Sequence, residues 1–131
     1  MSCFLRLLGA CACLAALHGA AAQDAGDGVV TTQALTVAGQ DFCQYFIAAW
    51  RDKPASDQFS LAIRERASAR WGSDVSIEFA QRKVFHTRLP TARAALREAA
   101  AQAADATYET VLATERQRRL IRDADLAPDE F

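Results

Sequence analysis

The chain has 131 residues, of which 51% are hydrophobic, and 15 basic side chains stand against 16 acidic ones. That length suits one small domain with a modest core. The near-neutral balance argues against nucleic acid as the main partner, because such binding is carried by basic excess.

The first element reads as a leader. Arg6 is the only charge in residues 1–22, an apolar run covers Phe4 to Leu17, and Ala20, Ala21 and Ala22 follow. A basic start, a short apolar segment and an A-x-A site make a secretory signal, with cleavage predicted after Ala22 and a periplasmic product. Gly9, His18 and Gly19 break the run, which falls short of the ~20 apolar residues of a membrane span. Leu8-Gly9-Ala10-Cys11 also has the form of a lipoprotein cleavage box with Cys11 as the lipidated residue, although only a short apolar stretch precedes it. Loss of residues 1–22 removes Arg6, Cys3, Cys11 and Cys13, so the net charge moves from −1 to −2 and Cys43 alone remains. One cysteine forms no intramolecular disulfide. Cys43 reads as a small buried apolar residue, or else as half of a disulfide between copies.

Residues 23–35 read as a flexible linker that opens Gln-Asp-Ala-Gly-Asp-Gly, and residues 36–131 as the domain with a charged C-terminal tail. Ala38 to Arg51 is predicted helical: Phe42, Phe46, Ala49 and Trp50 share one face, Thr36 suits the N-cap, Asp41 suits the first turn, and Pro54 closes the segment. Three strands with period-two alternation follow. Phe59, Leu61 and Ile63 mark the first, Val75, Ile77 and Phe79 the second, and Phe85, Thr87 and Leu89 the third, with Gln81-Arg82 as a tight connection lacking the usual glycine. Pro90 and Thr91 open an alanine-rich helix to about Leu112, with Leu96, Ala100, Ala103, Thr107 and Val111 as its inner stripe. The order helix, three strands, helix predicts an α+β fold of two layers, helices packed on one face of an antiparallel sheet. So small a sheet leaves edges that must be covered, charged or used for pairing. Past Leu112 come Arg116, Arg118, Arg119 and Arg122, then Asp123, Asp125, Asp129 and Glu130. This segment either extends the helix or stands as a solvated tail.

No catalytic set is legible. Beyond the leader there is one histidine, His86, placed to face solvent from its strand, and it lies in a different element from Cys43. There is no G-x-S-x-G, Walker loop, G-x-G-x-x-G, C-x-x-C or metal-ligand cluster. Asp57, Glu65, Asp74 and Glu78 fall in loops or on polar strand faces. The sequence therefore predicts a protein that is not an enzyme and uses no cofactor.

Two stretches carry a resemblance. Arg64-Glu65-Arg66-Ala67-Ser68-Ala69-Arg70-Trp71-Gly72-Ser73 and the closing Asp125-Leu126-Ala127-Pro128-Asp129-Glu130-Phe131 both resemble the CsgE family, the curli production assembly/transport component, as does Asp41-Phe42 with Trp50 nine residues after Asp41. The similarity runs from about Leu35 to Phe131. A proline commonly stands in the family where Ala67 is here, and Cys43 and the alanine-rich second helix also depart from its pattern. The resemblance implies a periplasmic, ring-forming adaptor without nucleotide or cofactor. Such an adaptor docks beneath a CsgG-like outer-membrane channel and holds CsgA-like curlin subunits unfolded for export. Trp50 and Phe85 are the candidate contact residues, with the Arg116, Arg118, Arg119 and Arg122 cluster and the acidic tail as candidates for pairing between subunits. Trp50 and Trp71 each also suit a core position. The competing reading is a periplasmic ligand-binding or inhibitor module of similar shape.

Overall fold

The computed structural model describes residues 28–126; the predicted leader and residues 127–131, with Asp129, Glu130 and Phe131, lie outside them. Strand β1 (Val30–Gln33) leads into helix α1 (Val37–Arg51), and a 3-10 turn at Ser56–Gln58 follows. Then come β2 (Leu61–Ser68), β3 (Gly72–Phe79), β4 (Arg82–Arg88) and helix α2 (Arg93–Asp125). The sheet order is β1-β2-β3-β4. The α+β architecture is the expected one, with one strand more than the alternation shows.

That extra strand falls inside the predicted linker. Val30 to Gln33 pair in parallel with Leu61 to Arg64, so part of residues 23–35 is built into the sheet. The other pairings are antiparallel: Leu61 opposes Phe79, Ile63 opposes Ile77, and Ile77 opposes Phe85. Leu61, Ile63, Val75, Ile77 and Phe79 consequently share one face and are all buried. From α1 come Phe42, Phe46 and Trp50, stacked in sequence with ring centroids 6.3 and 6.0 Å apart. Helix α2 adds Leu96, Ala100, Ala103, Ala104, Thr107 and Val111, so its alanines bring the two helices close.

Thr36 caps α1 as expected, its hydroxyl accepting from the Gly39 N–H at 3.0 Å. Asp41 lies one turn further in than predicted and pairs instead with Arg93 of α2 at 3.5 Å. Helix α2 does not stop near Leu112. It runs to Asp125, and past Val111 no residue is buried, so its last turns overhang the core. A helix of 33 residues is about 50 Å long.

Chain direction gives the molecule two ends. The β2–β3 turn, the start of α1 and the start of α2 meet at one: Leu35 N–H donates to Glu65, and Leu89 N–H donates to Ser73. The β3–β4 turn lies at the other, where Ala80 and Arg82 adjoin Thr114, Gln117, Arg118 and Ile121 of α2.

Candidate functional site

Strands β2 and β3 outrun their neighbours. Strand β1 ends opposite Arg64 and β4 ends opposite Asp74, whereas β2 and β3 stay paired out to Ser68 and Gly72. The result is a projecting hairpin closed by Ala69, Arg70 and Trp71. Gly72 sits at φ +79°, a conformation that L side chains adopt with strain, and this permits the tight return. The turn is further held by Trp71 N–H donating to Ser68 Oγ at 3.2 Å.

At this tip Trp71 is 64% exposed. The Arg70 guanidinium lies 5.6 Å from its ring centroid, a cation–π contact that holds the two together. Arg66 is exposed beside them, and neither Arg66 nor Arg70 has an ion-pair partner among the described residues. Leu35 and Val37, 71% and 72% exposed, lie at the same end. An exposed tryptophan flanked by arginines has the composition of an interface centre.

The hairpin base is fixed by a buried acid that sequence reading places on a polar face. Glu65 faces inward with Ile63 and is only 8% exposed. Its carboxylate accepts from the Leu35 N–H at 2.6 Å, the Thr36 N–H at 2.9 Å and the Thr36 hydroxyl. Burial alone would raise its pKa, but the hydrogen bonds from Thr36, Ser73 and Leu35 outweigh that and hold it below the ordinary carboxylate value. The carboxylate also meets the positive end of the α1 dipole. A Cβ on Gly39 would overlap it, which explains glycine inside a helix.

The predicted contact residues divide. Trp50 is 2% exposed and packs between Phe46 and Tyr108, so within one copy it takes the core position that it also suits. Phe85 does lie on the outer strand β4, but it opposes Ile77 and is half-buried against the core. Arg116, Arg118, Arg119 and Arg122 are exposed on the α2 overhang, with Arg118 bound to Glu115 at 2.8 Å. Ser68 to Ser73 form the hairpin tip. His86 is exposed on the sheet face away from the helices, as expected. Cys43 is buried, and burial, helped by the Glu65 charge, pushes its thiol up to about 11, so an inter-copy disulfide lacks an accessible thiolate.

Among the described residues no three His, Cys, Asp or Glu side chains converge as metal ligands, and no helix is long and apolar enough to cross a membrane. A hollow of about 650 Å³ lies where the chain enters the described region, lined by Gly28, Val30, Trp50, Lys53 and Asp57.

Residues 27–130 match the family model of the curli assembly protein CsgE. The curli production assembly/transport component CsgE of Escherichia coli O6:H1 is 31% identical over 104 residues, 79% of this chain and 78% of that protein. Its counterpart in Salmonella typhi is 30% identical over 104 residues, 79% of this chain and 77% of that protein.

Proposed function

The chain belongs to the CsgE family of curli assembly proteins, and from that premise we propose that it acts in the periplasm as an oligomeric adaptor of curli secretion. In this reading the leader is cleaved after about Ala22 and the domain docks at the periplasmic mouth of a CsgG-like channel. There it holds CsgA-like curlin subunits unassembled until export. It does so without catalysis, nucleotide or cofactor. Curli assembly proteins are not an enzyme family.

The observation that carries this reading is the β2–β3 tip. Trp71 and Arg70 are exposed, are oriented by their own contact, and pack against nothing in the domain's core. Side chains of this kind gain their stabilising contacts from a partner. Curlins must cross the periplasm without making cross-β contacts, which are very stable once formed, and a projecting aromatic–arginine tip offers transient apolar and charged contact instead.

The test is the polymerisation lag of a cognate curlin with the purified mature protein, alongside pull-down of the channel. At equimolar ratio the lag should lengthen without ATP. Trp71→Ala should lose the effect while its circular dichroism stays that of the wild type. A wild-type protein that neither delays fibres nor binds the channel would remove the adaptor reading.

A further inference from the structure

The edge strand β1 is lightly held. Of its four side chains only Val30 is half-buried against the core, and Thr31, Thr32 and Gln33 are exposed. Thr32 is exposed although its register with Ile63 puts it on the sheet face that the helices cover. The strand has no charged residue to form an ion pair. Its pairing with β2 is parallel, the less stable kind per residue. Beyond the ladder, the Val29 N–H donates to Ser60 Oγ at 3.1 Å and the Thr31 hydroxyl to the Leu61 carbonyl at 3.4 Å.

What β1 covers is of another kind. Leu61 and Ile63 are 2% and 1% exposed, and the Leu61 N–H donates to the Val29 carbonyl at 3.0 Å. Strand alternation turns the Ile63 N–H the same way. If β1 lifts, these donors lose their partners, and the uncovered edge belongs to a strand of eight residues. Helix α1 need not move with β1. Glu65 accepts from the Leu35 N–H, the Thr36 N–H and the Thr36 hydroxyl, so a β2 side chain anchors the start of α1 directly. Ala34 stands between the strand and that anchor, in the position of a hinge. Segments with few buried contacts and exposed hydrogen bonds are those that open locally while the rest of a domain stays folded.

We propose that β1 is a displaceable strap, and that the β2 edge beneath it receives an extended segment of an unfolded client chain by strand addition. The seated strap shows what fits. A client segment competes best with apolar, β-branched side chains at the positions of both Val30 and Thr32, where the second adds the contact beside Ile63 that Thr32 does not make. At the positions of Thr31 and Gln33 a polar or acidic side chain suits the outward row of β2, which carries Arg64 and Arg66. With β1 in place the edge is closed, so the seat is offered only while the strap is lifted. This inference rests on the client-holding part of the function proposed above and adds to it a second surface besides the tip.

A disulfide clamp tests it. Thr31 and Ala62 are register partners on the sheet face away from the helices, so Thr31→Cys with Ala62→Cys joins the strap to β2 within the usual Cα spacing of a disulfide. Cys43 is left in place, buried. The mature protein with both substitutions is assayed for curlin polymerisation lag and channel pull-down, first oxidised and then reduced. The oxidised form should lose potency in delaying fibres at least tenfold, the reduced form should regain it, and both should pull down the channel like the wild type. In the wild type the Leu61 and Ile63 amides should exchange with solvent at least tenfold faster than the Ile77 amide, and the oxidised clamp should abolish that difference. An oxidised clamp that delays fibres as well as its reduced form, or Leu61 and Ile63 amides as slow as that of Ile77, overturns the strap and leaves the adaptor function standing. A wild type that delays no fibres removes the client-holding reading itself, and the strap with it.

Discussion

Two tryptophans show how position decides the role of one residue type. Trp50 shares a helical face with Phe42 and Phe46, and that periodicity alone puts it against the sheet. Trp71 lies in the β2–β3 turn, where no periodicity assigns a face, and the fold leaves it in solvent. Glu65 carries the residue-scale prediction. Its folded pKa is lowered, so its contribution is complete above the unfolded value of about 4.3 and is lost as pH falls through the folded value. Hydrogen bonds to a charged group contribute about 1.5–3 kcal/mol. Glu65→Gln should therefore lower stability by about that amount at pH 7 in urea unfolding, and the gap to the wild type should narrow as pH falls below the unfolded value and close once the native carboxyl protonates. A gap that does not change with pH would mean that the charge itself contributes nothing.

Among the elements, the β3–β4 turn is the most strained. Ala80 and Gln81 both hold positive φ, 50° and 64°, the left-handed pair that a two-residue hairpin needs and that Asn-Gly supplies at lower cost. Ala80→Asn combined with Gln81→Gly should raise stability by about 1 kcal/mol, read as a higher urea midpoint at unchanged slope. An unchanged or lower midpoint would show that the flanking strands already relieve the strain. The neighbouring elements also show what is readable from sequence. Strands β2, β3 and β4 and the buried stripes of both helices stand out because one apolar face repeats with period two or 3.6. Strand β1 does not: Val30-Thr31-Thr32-Gln33 has a single apolar residue, and its partner lies about thirty positions away. The overhang of α2 is the helix extension that the sequence leaves open beside a tail. With no buried face past Val111, it continues on the helix propensity of its Glu, Arg, Gln, Leu and Ala residues, which leaves no amphipathic signal. The tip was visible only as a motif. Its exposure follows from where β1 and β4 end, which no local pattern encodes.

At the scale of the molecule, the oligomer proposed above should register the exposed charges of the α2 overhang. Arg116, Arg119 and Arg122 stand exposed there, and contacts between copies that use them should weaken as the Debye length falls from about 10 Å at 0.1 M salt to about 3 Å at 1 M. Sedimentation across that range should show dissociation at the high end. Assembly indifferent to salt would assign the contact to apolar surface alone. The sheet margins carry a different consequence. One outer strand, β1, is only four residues long. The other, β4, carries Arg82, Lys83, His86 and Arg88 and is kinked by a bulge where Val84 is left without a partner opposite Ile77 and Glu78. Short edges, basic edges and bulges all discourage a further strand from adding on. Under the function proposed above this amounts to immunity: a sheet that is a poor seed would let the domain touch fibre-forming chains without being recruited into what they build.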